Sequence, residues 1–143
     1  MKIKTFIDED RDEEILIYAH SRTKLIEEIE RLVENERSGL VGYRGSEIKQ
    51  IDPREATCFF IEDNKVCAML EKEKWYLKQR LYTLEETLDG GFVKINQSCI
   101  ANLKMIEKFD VSFGGSLLVI FKNGHRDYVS RRQMKTVKEK IGI

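Results

Sequence analysis

The sequence predicts a mainly β fold with short helices, α+β overall: an antiparallel β domain from about residue 40 onward, preceded by a small ββα element. Three observations predict it. Short apolar stretches such as TCFFIE (57–62), KVCAMLE (65–71) and LLVIF (117–121) follow one another closely. Turn pairs separate them, and Asn123-Gly124 is the strongest hairpin signal in the chain. Helices are confined to brief stretches in between, which indicates an antiparallel β domain.

In chain order, Met1–Ile7 alternates and Glu14–His20 is a short apolar run, so both are expected as strands. A helix follows, with Ser21 or Thr23 available to cap it. Leu25, Ile26, Ile29, Leu32 and Val33 recur at helical spacing, and Ser38-Gly39 ends it. This ββα piece, residues 1–39, is too small to bury a core by itself. It packs on the rest of the chain or on a second copy, and its helix is a candidate dimerisation surface. Residues 40–143 form the main domain.

Leu40–Tyr43 and Glu47–Ile51 make a hairpin around Arg44-Gly45. Asp52 caps a compact helical turn with Pro53 at its first position. Asp63-Asn64 joins two strands, and Glu73–Leu81 is the next strand. Thr83 and Glu86 suggest a capping box for a short helix that stops at Asp89-Gly90-Gly91. Phe92–Ile95, Cys99–Leu103, Ile106–Val111, Leu117–Phe121 and Arg126–Val129 are strands, with Asn96-Gln97-Ser98 as a polar break. A last helix is expected from Ser130, where Gln133 completes a second capping box, with Met134, Val137 and Ile141 as its buried stripe.

The totals set further bounds. With 143 residues, 41% hydrophobic and 35% charged, the balance is that of a soluble globular chain of one domain and a small appendage. No apolar run approaches the ~18 residues of a membrane span. The start lacks the apolar core of a signal peptide, so a cytoplasmic location is expected. Cys58, Cys67 and Cys99 are odd in number and widely spaced, as expected of reduced core thiols. The net charge of zero conceals a gradient. Residues 1–40 hold 7 basic and 11 acidic side chains, residues 41–91 hold 8 and 10, and residues 92–143 hold 10 and 4. The basic C-terminal third points to a polyanion partner.

Enzymatic patterns are missing. The two histidines, His20 and His125, belong to no metal-ligand spacing, and no phosphate-binding glycine motif occurs. A nucleophile would want a histidine base, and only Cys99 offers itself as a distant partner for His125. No catalytic residue, cofactor or metal is assigned. Nucleic acid fits better. Arg131 and Arg132 fall at the start of the last helix, where the helix dipole favours anions over cations. A phosphate arriving between them relieves that conflict; so would pairing with Asp127. Asn96-Gln97-Ser98 and Asp63-Asn64-Lys65 offer amides that can read base edges, besides being ordinary turn residues.

FVKINQSCIANL (92–103) followed by LLVIFKNGHRDYVSRRQMKTVKEKIG (117–142) resembles the LytTR family of bacterial DNA-binding domains. Phe92, Ser98, Asn102, Asn123, Gly124, Ser130 and Arg131 fall in register with the family's motifs. Upstream, Ile51–Phe60 and Leu81–Leu88 are similar to its strand and helix motifs, so the resemblance covers about residues 40–143. It implies about ten strands in stacked small antiparallel sheets that bind duplex DNA through three loops rather than a recognition helix. Those loops map to Asp63–Lys65, Asn96–Ser98 and Arg131-Arg132. Asn96-Gln97 departs from the family's His or Ser followed by Lys, Arg or Asn, and Lys94 stands where Arg is usual, losing the planar fork.

The resemblance thus implies a sequence-specific transcriptional regulator of double-stranded DNA. Lys94, Arg131 and Lys135 are assigned mainly to phosphate. Asn96, Gln97 and Arg132 are assigned to base edges, with Ser98 in the same loop and Asn64 and Lys65 as a flanking contact. Asn102 is expected to be structural. Residues 1–39 are too short for the receiver domain that usually precedes this domain, so the chain resembles the stand-alone type. Such regulators are expected as homodimers or paired monomers, with a small membrane protein as a possible regulatory partner. The competing reading is a β-rich protein-interaction module acting through the acidic N-terminal surface.

Overall fold

The computed structural model describes residues 1–37 and 39–143. Helix α1 (Lys24–Arg37) comes first, then β1 (Leu40–Arg44), β2 (Glu47–Ile51), β3 (Cys58–Glu62), β4 (Lys65–Leu70), β5 (Glu73–Leu77) and α2 (Leu81–Thr87). The second half holds β6 (Phe92–Asn96), β7 (Cys99–Asn102), β8 (Ile106–Val111), β9 (Leu117–Phe121), β10 (Arg126–Val129) and α3 (Met134–Ile141). The strands form a seven-stranded antiparallel sheet, ordered β2-β1-β5-β4-β3-β7-β6, and a three-stranded sheet, ordered β10-β9-β8.

The large sheet is covered on both faces, which is why its central strands have nearly unbroken apolar sequences. Alternation decides which side chain goes where. Phe59, Ala68, Leu70 and Ile100 point to one face, where Leu81, Leu84 and Leu88 of the α2 segment close over them. Cys58, Phe60, Cys67, Met69, Cys99 and Ala101 point to the other. There they meet Leu117, Val119, Phe121 and Val129 of the small sheet and Val137 of α3. Phe59 and Phe121 are fully enclosed, each contributing roughly 1.5–3 kcal/mol of burial. The first hairpin lies close to the core because β1 has Gly42, where a Cβ would meet Ile51 and come within 2.9 Å of Trp75 Cβ.

The turns follow their residues. Asp63 and Asn64 both take positive φ (52° and 61°), the two-residue hairpin such pairs favour. At Asn123-Gly124 only Gly124 is left-handed (φ 90°), and Phe121 N–H donates to His125 O at 2.9 Å. That makes a three-residue loop with Gly at its strained position. Thr23 caps α1, its Oγ1 accepting from Ile26 N–H at 3.4 Å. Asp52 takes Arg54 N–H at 3.0 Å, as its capping sequence predicts.

Four sequence expectations need correction. The strands predicted at 1–7 and 14–20 do not form, because no neighbouring strand supplies a ladder there; α1 is the first regular element. Helix α2 begins at Leu81, with Arg80 rather than Thr83 in the cap position, since Leu81 and Leu84 must both reach the core. The strand before it ends at Leu77, short of the predicted Leu81. Helix α3 begins at Met134, so Ser130–Gln133 is a turn leading into it, and no capping-box hydrogen bond forms at Gln133. Ser38, half of the predicted stop of α1, lies outside the described residues.

Candidate nucleic-acid interface

Strand pairing brings separate polar segments to one end of the sheets. The β3–β4 turn and the β6–β7 turn are neighbours because Phe60 pairs with Cys99 and Glu62 with Lys65. Ile61 N–H donates to Ser98 O at 2.9 Å, joining the two turns directly. The β10–α3 turn is tied to the same end, since Ser130 N–H donates to Ile95 O at 2.8 Å. The three expected loops are therefore side by side.

Most of the predicted residues face outward there. Asn64, Lys65, Gln97, Ser98, Arg131, Arg132 and Lys135 are exposed. Among the described residues, none of the side chains of Asn64, Gln97, Arg131, Arg132 or Lys135 has a hydrogen bond or an ion pair. The alternative pairing of the arginines with Asp127 does not occur. Asp127 instead accepts from the Asn96 amide at 3.0 Å and from Tyr128 N–H at 2.8 Å.

Two predicted residues are placed differently. Asn96, expected to face base edges, is buried (3% exposed). Its amide nitrogen donates to Asp127 Oδ1 and, at 2.9 Å, to Tyr128 O, while its oxygen accepts Ser98 N–H at 2.9 Å. Every hydrogen-bonding direction it needs for adenine is engaged, so it holds the loop's shape and pins β6 to β10. Lys94 is half-buried and lies 3.6 Å from the Glu85 carboxylate, which competes for its charge. Asn102 is structural as expected: its amide donates to Arg54 O at 3.0 Å and Ala56 O at 2.8 Å.

One further segment reaches this end of the sheets. β5 ends with Leu77 paired to Val66, so Lys78-Gln79-Arg80 leaves the sheet at the loop end and is exposed. Its signal in the sequence is a polar, basic tripeptide between a strand and a helix, expected as the end of the strand but not part of it.

The thiols form a separate, sealed cluster. Cys58, Cys67 and Cys99 are all free and buried. The fold brings His125 to Cys58 rather than to Cys99, and stacks its ring on Phe121 at 5.6 Å. Hydrogen bonding to Cys58, then burial, pushes the Cys99 thiol well up; the hydrogen bond to Cys58 raises His125. Cys58 and Cys99 are both 0% exposed, so this pairing offers a substrate no access. No group of three or more potential ligands among the described residues is arranged to hold a metal. Among the described residues, no helix is long and apolar enough to cross a membrane.

The sequence model of the LytTr DNA-binding domain matches residues 46–142. Proteins of Staphylococcus aureus strains COL and N315, both named as HTH-type transcriptional regulators, are each 32% identical over 146 residues, covering 100% of this chain and 99% of theirs. Among solved structures, the LytTr DNA-binding domain of a Bacillus cereus protein described as a methyl-accepting/DNA response regulator superposes with a TM-score of 0.70 at 19% identity. The match covers 74% of this chain and 98% of that one.

Proposed function

This chain belongs to the LytTr DNA-binding domain family, and from that membership we propose that it is a transcriptional regulator that recognises specific duplex DNA through the loops at one end of its sheets. The observation that carries the reading is the gathering at one end of the domain of outward-facing cations and amides, of which Asn64, Gln97, Arg131, Arg132 and Lys135 have no side-chain hydrogen bond or ion pair among the described residues. Arg132 and Gln97 are assigned to base edges, Arg131 and Lys135 to phosphates, and Asn64 and Lys65 to a flanking contact. Asn96 is reassigned to shaping the loop, and Lys94 contributes charge only as far as Glu85 releases it.

No recognition helix is needed. Five strands separate α1 from α2 and five more separate α2 from α3, so the described helices form no helix-turn-helix unit. The proposal involves no catalytic step, and a cytoplasmic location goes with it. Residues 1–39 are assigned as an extension outside the DNA-binding domain of residues 40–143. We assign to it the pairing of two copies on DNA: Ile3, Phe6, Ile7 and Tyr18 are each at least 85% exposed, a large apolar area for a chain to leave in water. Sedimentation of the whole chain against a chain lacking residues 1–20 measures that pairing.

The direct test of DNA recognition is a mobility-shift titration on DNA upstream of the chain's own gene. Arg132→Ala is expected to weaken specific binding by about 1–3 kcal/mol while the unfolding temperature stays unchanged. Wild-type affinity in that variant would remove Arg132 from the interface.

A further inference from the structure

Beside the three loops there is a groove of about 610 Å³ that they do not fill. Its walls are the β3–β4 turn, the β5–α2 connection and the outer face of β6. It is lined by the cations Lys65, Lys78, Arg80 and Lys94, with Asn64 and Gln97 at the side shared with the loops. Of the four cations only Lys94 has an ion-pair partner among the described residues. Lys65 and Lys78 are instead steadied by aromatic rings, 5.5 Å from the centroid of Tyr76 and 4.9 Å from that of Tyr43. Such contacts restrict a lysine's motion without neutralising its charge.

Among the described residues, exposed cations without an ion-pair partner occur elsewhere too, Lys72, Lys104 and Lys122 among them; those of the groove differ in lining one concave surface. Arg22, Arg44, Arg54 and Lys74 each pair with a carboxylate. Holding three unneutralised cations around one concave surface is unfavourable by itself, because like charges repel. A groove of this kind is suited to a run of negative charge. Its continuity with Asn64 and Gln97 says which one: a strand whose bases meet the loops must carry its phosphates onward past them.

We propose that Lys78 and Arg80, together with Lys65, form a fourth DNA-contacting segment that grips the phosphate backbone flanking the base-read site. The inference rests on the DNA-binding reading above and adds to it a contact that carries no sequence information. It lengthens the footprint beyond the β3–β4 turn and raises affinity for any duplex. Gln97 and Arg132 then discriminate between sequences, whereas Lys78 and Arg80 do not.

The experiment measures binding of the full chain to its upstream DNA and to an unrelated duplex across a salt series. The double variant Lys78→Ala/Arg80→Ala is expected to lose roughly tenfold on both DNAs, and its log–log salt slope to flatten by ~0.9 for each phosphate released. Lys72→Ala/Lys104→Ala removes the same charge from exposed positions at the opposite end of the sheets and is expected to leave affinity and slope as in the wild type. Matched melting curves confirm that all the variants are folded. If the groove variant keeps wild-type affinity and slope while the wild-type chain binds DNA, the fourth segment is refuted and the three-loop reading stands. An equal loss in the Lys72/Lys104 variant also refutes it, since net charge alone would then explain the effect. If the wild-type chain shows no salt-dependent binding to either duplex, the DNA-binding reading itself fails.

Discussion

The two ends of the sheets use the same residue types for opposite purposes. At the far end, Asn102 bonds Arg54 O and Ala56 O, and Asn123 reaches Thr57, Met69 and the Glu71 carbonyl while accepting His125 N–H at 2.9 Å. Asp52 there holds Arg54 through backbone and side chain. At the loop end, Asn64, Gln97, Arg131 and Arg132 satisfy nothing within the described chain. Neither amide content nor the family motif therefore identifies a contact residue. A polar side chain is available to DNA only when the fold has not already claimed it. Asn96 is the informative exception, since it lies at the loop end but is bonded like a far-end residue.

The largest effect that could break this contrast is at Asn102. Asn102→Ala strands two backbone carbonyls beside a buried site and is expected to cost about 3 kcal/mol of stability, read from a denaturant midpoint, with DNA affinity of the folded fraction unchanged. Asn96→Ala comes next. It should cost about 2 kcal/mol and loosen the β6–β7 loop, so stability and operator affinity fall together. Gln97→Ala, one residue along, is expected to leave the midpoint alone and reduce the preference for operator over unrelated DNA by about 1 kcal/mol. If Asn96 and Gln97 variants behaved alike, the division between claimed and free amides would be wrong.

The smallest effect is a pH dependence at the far end. Hydrogen bonding to the Arg54 side chain holds the Asp52 carboxyl below its usual range. A depressed folded-state value means the stabilisation is present above the ordinary carboxylate pKa and is lost as pH falls through the folded one. Because the pair is partly exposed, the stability difference between wild type and Asp52→Asn should be only a few tenths of a kcal/mol at neutral pH and vanish in acid. A difference that grew toward low pH would contradict the assignment.

Much of the β domain could be read from the sequence because its signals are local. Asp63-Asn64 and Asn123-Gly124 fix turns through their own backbone preferences, and the apolar runs 57–62 and 117–121 become strands, buried on both faces over Thr57–Phe60 and nearly so over Leu117–Phe121. What could not be read depends on partners distant in sequence. Met1–Ile7 alternates like a strand but has no ladder to join. The Thr83 capping box loses to the demand that Leu81 and Leu84 both be buried. Asn96 looks like a free turn amide until β10 arrives 31 residues later to bind it. The Lys78–Arg80 segment becomes visible as part of the interface only when β5 pairs with β4 and sets it beside Lys65.

The claim that DNA meets the loop end, and only that end, is tested most directly by mapping amide chemical-shift changes in the isotopically labelled chain as duplex DNA from upstream of its own gene is added. The account predicts shifts concentrated at residues 63–65, 78–80, 97–98 and 130–135, with 52–56, 71–72, 102–104 and 122–125 unmoved. Shifts centred on the far-end residues would contradict it.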